Sequence, residues 1–293
     1  MTQLVGVIGL GIMGSAMARN MIKNGHKVVG YDPTESAAAR LRDSGGMPLA
    51  SIREVIEAAD VILTSLPTTE TFLSATRAIV EAGPQGKIVI ELSTMPLASK
   101  EYARAILEQA GCAVLDCPVS GTGAQAATQD LVVFASGVKE AYEAVTVILE
   151  GFSRKQVYLG AFGNGTKMKF LANHLVGIHN VAAAEAFTLA GKAGIDLQTV
   201  FDALQDSAGT SRMFQVRGPL MVKGDYSEPT ARISMFLKDL DVIGEFAADL
   251  RCPTPLFDAA TQLYYAAMKQ GLADSDTAAV CKVLESAAGV HRK

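Results

Sequence analysis

Over the first half of the chain, short runs of β-branched and apolar residues alternate with longer stretches in which apolar positions recur every three to four residues. Leu4 to Ile8, Lys27 to Tyr31, Val61 to Ser65, Lys87 to Glu91, Ala113 to Asp116 and Leu131 to Ser136 have the length and composition of strands. Ile12 to Asn24 and Leu97 to Ala110 carry the helical period between them. Strands spaced by helices of this length predict βαβ units, and hence a parallel sheet covered on both faces. The punctuation agrees. Gly25 and Gly111 stand where helix C-caps belong, Ser51 can cap a helix beginning at Ile52, and Pro96 suits a first helical turn.

After Val157 to Leu159 the strand signals nearly stop, and the glycine-rich junction from Gly160 to Gly165 opens a long helical stretch running to about Lys192. Beyond Gly194 the helical period dominates, near Leu197 to Gln205, Met235 to Leu250, Leu256 to Gln270 and Asp276 to Ala287, punctuated by Gly209, Pro253, Pro255 and Gly271. The expectation is an α/β chain: a doubly wound parallel sheet over residues 1–162, then an all-α domain over residues 163–293.

The length of 293 residues agrees with two domains. Lys plus Arg number 26 against 30 Asp plus Glu, a formal net charge of −4, so no positive field exists to bind a phosphate backbone and nucleic acid is excluded as an expected partner. With 49% hydrophobic and 19% charged residues the chain has ample core material and is not disordered. The opening MTQLVGVIGLG enters a strand-like run without a basic segment or a cleavage site, which reads as cytoplasmic. The uncharged stretch from Phe170 to Ala184 contains Asn173, His174, His179 and Asn180 and is short of the roughly 18 apolar residues of a membrane span, so a buried helix is expected and no membrane. Cys112, Cys117, Cys252 and Cys281 have no C-x-x-C spacing and the four histidines no H-x-x-x-H pair, which favours buried free thiols over disulfides or a zinc site.

Gly9-Leu10-Gly11-Ile12-Met13-Gly14 follows a strand and opens a helix, the context that gives G-x-G-x-x-G its meaning. Gly9 permits the tight turn, Gly11 the approach of backbone to a pyrophosphate, and Gly14 close packing of helix on strand, while the helix N-terminus offers free N–H groups. An ordinary glycine-rich turn would look similar, but Asp32 ends the second strand 18 residues past Gly14, close to the ~20 at which a ribose-binding carboxylate is expected. A carboxylate there accepts from ribose hydroxyls and repels a 2′-phosphate. The expected cofactor is therefore NAD in preference to NADP, since no arginine follows Asp32 before Arg40; a more distant Arg40 or Arg42 swinging in would oppose that reading.

Dinucleotide chemistry needs a group to handle the accompanying proton, and Lys169 and Asn173 lie four residues apart on the helix that starts near Gly165. A lysine in an apolar stretch releases its proton more readily than a hydrated one and suits acid/base work. The alternative is a solvated lysine like its neighbour Lys167.

The chain resembles the β-hydroxyacid dehydrogenase family along essentially its whole length, in the glycine run Gly9 to Gly14, Leu66-Pro67, Ser93-Thr94-Met95-Pro96, Asp116 to Gly121, the G-x-G-x-x-x-K-x-x-x-N run from Gly163 to Asn173, and Lys238-Asp239-Leu240. The resemblance implies a Rossmann domain followed by a helical substrate and oligomerisation domain with the site in a cleft between them, and reversible hydride transfer to a small hydroxy acid. It implies Lys169 as catalytic residue, Ser120, Gly121 and Asn173 at the substrate, and Leu66, Pro67, Thr94 and Lys238 beside the cofactor. Read by themselves, Ser120 to Gly123 could be a plain turn, Pro67 and Thr94 a loop breaker and a cap, and Lys238-Asp239 a solvated pair. The chain departs from the family pattern at Thr122, which stands where a second glycine is common and adds a hydroxyl near the expected substrate carboxylate, and at Gln129, which replaces a further glycine.

Ser207 to Phe214 and Lys223 to Tyr226 look most like the branch of the family that acts on L-threonate, with Arg212 either pairing a substrate carboxylate or lying at the surface. The competing readings are reduction of a semialdehyde such as tartronate semialdehyde, oxidation of 3-hydroxyisobutyrate, and a non-catalytic nucleotide-binding module. The apolar C-terminal helices predict a homodimer or homotetramer.

Overall fold

The computed structural model describes residues 4–292. In chain order the first unit contains β1 (Leu4–Ile8), α1 (Ile12–Lys23), β2 (Lys27–Tyr31), α2 (Glu35–Asp43), β3 (Met47–Pro48), α3 (Ile52–Ala58), β4 (Val61–Thr64), α4 (Thr69–Glu81), β5 (Ile88–Glu91), α5 (Leu97–Gln109), β6 (Ala113–Asp116), β7 (Val119–Ser120), α6 (Gly123–Ala127), β8 (Val132–Gly137), α7 (Lys139–Glu150) and β9 (Lys155–Tyr158). The long helix α8 (Asn164–Lys192) follows. One compact unit ends at Lys169 and the other begins at Phe170, so α8 belongs to both.

Six strands of the first unit run parallel in the order β3-β2-β1-β4-β5-β6, the doubly wound arrangement that places loops for a ligand at the carboxyl ends of the strands. Val5, Val7, Leu63, Ile90 and Leu115 pack with Met17 and Met21 of α1 on one side, while Ile8, Val29, Ile62 and Val89 pack with Val55 and Ile79 on the other. Each such fully buried side chain stabilises the sheet by ~1.5–3 kcal/mol.

The expected parallel sheet holds as far as β6, and beyond it the pairing changes direction. Leu115 and Asp116 pair antiparallel with Gly137 and Ser136, and β7 pairs antiparallel with β8. The cause is the connection: between β6 and β8 the chain makes only β7 and the five-residue α6, not a helix long enough for a parallel crossover. β9 then adds parallel to β8. The caps stand as expected: Ser51 accepts from Glu54 N, and Gly25 and Gly111 adopt φ of 87° and 84°.

The second unit is helical: α9 (Leu197–Leu204), α10 (Arg212–Lys223), α11 (Ile233–Asp249), α12 (Pro255–Lys269), a 3₁₀ turn (Thr277–Ala279) and α13 (Val280–Ala288). Its core holds Phe170, Phe187, Phe214, Phe236, Phe257 and Tyr264. α10 has no counterpart in the sequence expectations because Gly218 and Pro219 interrupt its pattern. It forms nonetheless between a Ser211 N-cap and Gly224 in the left-handed conformation. A Cβ at position 218 would lie 2.7 Å from the ring of Phe201, so glycine there lets α9 and α10 close together. Arg217 makes a buried ion pair with Asp276 at 2.8 Å.

Among the described residues no helix is long and apolar enough to cross a membrane. Three cysteines are buried as expected, but Cys252 is exposed, because it lies just past α11 in the connection to α12.

Candidate active site and dinucleotide cradle

The loop between β1 and α1 is shaped by its glycines. Gly9 has φ of 91°, and a Cβ there would meet Ser65 O at 2.2 Å; a Cβ on Gly14 would meet Gly9 O at 1.9 Å. Gly11, by contrast, has no heavy atom within 4 Å of its missing Cβ and is exposed, so the space above it is open to a ligand. Gly11 is the N-cap of α1 and offers no side-chain cap, and the first turn holds no acidic residue, leaving N–H groups and positive dipole for phosphates. These features fit a dinucleotide. Ile12 is exposed and Met13 half-buried, whereas the Leu10 side chain is in the core and only its backbone contributes to the loop.

Asp32 sits at the end of β2, where its Oδ2 accepts from Leu10 N at 2.8 Å and its Oδ1 from Thr34 N at 2.9 Å. Arg40 reaches the same loop, donating from Nη2 to Leu10 O at 3.2 Å. Arg40 is distant in sequence spacing, and the fold of α2 brings it to the same residue, Leu10, whose N–H donates to Asp32. At the neighbouring strand ends, Leu66 N donates to Ser93 Oγ at 2.9 Å, Pro67 is exposed, and Thr94 follows β5, half-buried.

Ser120 ends β7 and Gly121 turns the chain with φ of 142°, where a Cβ would strike Leu131 at 2.5 Å. Thr122 then caps α6 reciprocally: its Oγ1 accepts from Gln125 N, and Gln125 Oε1 accepts from Thr122 N at 3.0 Å. Its backbone N–H is therefore engaged within the loop, and capping gives a local reason for threonine here. Gln129 takes a left-handed φ of 61° after α6, a conformation natural to glycine, and is held by donating to Glu150 O at 2.7 Å and accepting from Asn24 Nδ2 at 3.1 Å. The loop from Ser120 to Gly123 packs directly on α1, since a Cβ on Gly123 would lie 2.7 Å from Ile12.

Lys169 and Lys167 separate clearly. Lys167 is exposed, while Lys169 is only 8% exposed, one turn into α8. Asn173, one turn further on the same helix, is 6% exposed and donates from Nδ2 to Asp239 Oδ2 at 3.0 Å. Asp239 also lies 3.3 Å from Lys238 Nζ. Asp239 is thus more than half of a solvated surface pair, because its carboxylate accepts from the amide of Asn173. Arg212 is the first residue of α10.

The charged residues beneath the start of α8 carried no role in the sequence reading. Glu91, Lys100 and Asp116 form a buried ion cluster at the ends of β5 and β6. The available signal was a carboxylate terminating each of two otherwise apolar strands, a costly placement unless the charge is partnered.

Residues 4–160 match the family described as the NAD binding domain of 6-phosphogluconate dehydrogenase, and residues 163–284 match the NAD-binding domain of NADP-dependent 3-hydroxyisobutyrate dehydrogenase. An L-threonate dehydrogenase from Cupriavidus necator is 36% identical over 97% of this chain and 96% of its own length. A chloroplastic glyoxylate/succinic semialdehyde reductase from Arabidopsis thaliana is 30% identical over 98% of this chain and 80% of its own. The crystal structure of a 3-hydroxyisobutyrate dehydrogenase from Salmonella typhimurium superimposes with a TM-score of 0.87 at 31% identity, covering 96% of this chain and 99% of that one. With a glycine cradle at the carboxyl edge of a doubly wound sheet and full-length similarity to these enzymes, the chain is an oxidoreductase belonging to the NAD(P)-dependent β-hydroxyacid dehydrogenase family.

Proposed function

We propose that the chain oxidises a small hydroxy acid of the L-threonate type with NAD, and that Lys169 is its general acid/base. The observation that carries this reading is the burial of Lys169 one turn before Asn173, while Lys167 on the same turn is solvated. A lysine withdrawn from water can accept a proton from an alcohol and return it to a carbonyl.

Gly9 to Gly14 would hold the pyrophosphate and Asp32 the adenosine ribose, with Leu66, Pro67 and Thr94 at adjacent strand ends. Bound there, the nicotinamide supplies the hydride acceptor. The chain's own part is positioning and proton transfer. Ser120 and Gly121 would grip the substrate carboxylate through hydroxyl and backbone N–H, Asn173, oriented by Asp239, would hold the reacting hydroxyl, and Lys169 would take its proton. Asp32 supports NAD, since a carboxylate repels a 2′-phosphate, although Arg40 lies near the same loop.

A second reading, reduction of a semialdehyde, uses the same groups in reverse and is supported by the Arabidopsis reductase. We further propose a homodimer or homotetramer, because α8 exposes Leu171, Leu175 and Leu189; light scattering at monomer mass would oppose this.

The test is a panel of L-threonate, D-glycerate, 3-hydroxyisobutyrate and L-serine with NAD and NADP, with semialdehydes and NADH for the reverse direction. Preferred turnover of L-threonate with NAD is expected, and preference for another acid refutes the substrate assignment. Lys169→Ala should lower kcat by ~10²–10⁴-fold with NADH affinity nearly unchanged; undiminished kcat would remove Lys169 from the mechanism.

A further inference from the structure

The buried cluster of Glu91, Lys100 and Asp116 does something that an apolar trio could not. Lys100 Nζ lies 2.5 Å from Glu91 Oε2 and 2.8 Å from Asp116 Oδ1, with side-chain exposures of 0%, 4% and 0% for Lys100, Glu91 and Asp116. Ion clusters this dry are often no more stabilising than well-packed hydrocarbon, so stability alone is a weak reason for one. The remaining lone pairs of Asp116 show where the charge is directed. Oδ2 accepts from Thr166 N at 2.7 Å, Oδ1 from Thr166 Oγ1 at 2.7 Å, and Ser136 Oγ bridges between Asp116 and Gly165 N at 2.9 Å.

These acceptors meet the N–H groups of the first turn of α8, which have no partner inside the helix. A Cβ at position 165 would lie 2.3 Å from Phe134 O and 2.6 Å from Asp116 O, so the helix start is seated against the backbones of β6 and β8. Thr166 stands three residues before Lys169, on the same face of α8. On its other side the cluster continues outward: Glu91 Oε1 accepts from Ser93 N at 2.8 Å, and Ser93 Oγ from Leu66 N at 2.9 Å.

We propose that Asp116, held in place by Lys100, is a positioning residue that fixes the rotation and depth of the first turn of α8 through Thr166 and so sets the placement of the Lys169 amine. This rests on the reading of Lys169 as the acid/base. Burial alone would pull the Lys100 ammonium down, but the Asp116 and Glu91 carboxylates outweigh it and hold its proton more tightly than usual, so Asp116 has a permanent cation behind it. Burial raises the Glu91 carboxyl against the opposing pull of Lys100.

The test compares Thr166→Val, which removes the hydroxyl donor to Asp116, with Thr166→Ser, which keeps it. Readouts are kcat and KM for the acid turned over fastest in the panel, NADH affinity by fluorescence, and the Lys169 resonance in protein labelled with 13Cε-lysine, assigned with Lys169→Arg. The expected result for Thr166→Val is a kcat at least tenfold lower, KM and NADH affinity within about threefold, and a displaced Lys169 resonance, all restored in Thr166→Ser. A lower melting temperature with wild-type kcat and an unmoved resonance would mean a purely structural role and overturn the proposal. Full activity of Lys169→Ala would instead refute the acid/base reading, whereas an inactive Lys169→Ala beside a fully active Thr166→Val refutes the positioning alone. If no acid in the panel is turned over, the resonance decides by the same criterion, and Thr166→Ala replaces a valine variant that does not fold.

Discussion

The buried side chain of Asn20, on α1, donates from Nδ2 to the carbonyl oxygen of Ala126 at 2.6 Å, 106 residues away in α6. Two motifs widely separated in sequence are thereby joined into one rigid piece. Replacing Asn20 by Ala removes this bond and leaves the Ala126 carbonyl with only Gln129 N as donor, at 3.2 Å, which should cost ~0.5–1.5 kcal/mol. Differential scanning calorimetry should record a melting temperature lower by several degrees, together with a raised KM for the acid. A variant as stable as the wild type would show that the contact contributes nothing.

Asp32 should govern cofactor choice. The wild-type chain is expected to have a kcat/KM for NAD at least tenfold above that for NADP, and Asp32→Ala should shrink this ratio at least tenfold, with some overall loss because Leu10 N and Thr34 N lose their acceptor. Steady-state titration of both cofactors measures this. A wild-type preference for NADP would assign the deciding role to Arg40, which already touches the Leu10 carbonyl.

Gln129 has a left-handed backbone yet is not glycine. That conformation costs a side-chain-bearing residue ~1–2 kcal/mol, which its two side-chain hydrogen bonds offset. Gln129→Ala keeps the strain and loses the bonds, so it should be destabilised by about 1 kcal/mol. Gln129→Gly loses the bonds but also the strain and should lie close to wild type. Urea unfolding separates the two, and equal losses would deny any strain at this position.

Thiol chemistry should divide the four cysteines. Cys252 is exposed and should react with a disulfide reagent at pH 8, while Cys112, Cys117 and Cys281 react only on unfolding. Burial pushes the Cys112 and Cys281 thiols up to about 11, and Cys117 higher still. Because their folded values lie above the unfolded one, the stability they contribute is complete below about pH 8.5 and is lost as pH rises through 9 toward 11. Melting temperatures taken from pH 8 to 11 should therefore fall. Replacing Cys112 and Cys281 with alanine should flatten that fall, and an unchanged slope would exclude them as its cause.

The strands and helices of the first unit were legible because burial on both faces leaves continuous apolar runs between glycine stops: Leu4–Ile8, Lys27–Tyr31 and Ala113–Asp116 have the bounds expected of them. The glycine run was legible for a related reason, since the tight turn at Gly9, with φ of 91°, needs one residue type at one place. α10 was hidden by Gly218 and Pro219, whose local preference opposes the helix that packing against Phe201 imposes. The antiparallel return of β8 was hidden because periodicity reports burial, not strand direction.

From the sequence alone came the glycine cradle, the lysine and asparagine one turn apart, and the two-part architecture, because each is written in local spacing. Tertiary structure alone decided which lysine is withdrawn from water, that Arg40 reaches the cradle, that Asp239 holds Asn173, and that Asp116 anchors the start of α8. Those relationships join residues 30, 66 and 50 positions apart across separate elements. Their energies depend on distance and exclusion of water, quantities that exist only once the chain has folded.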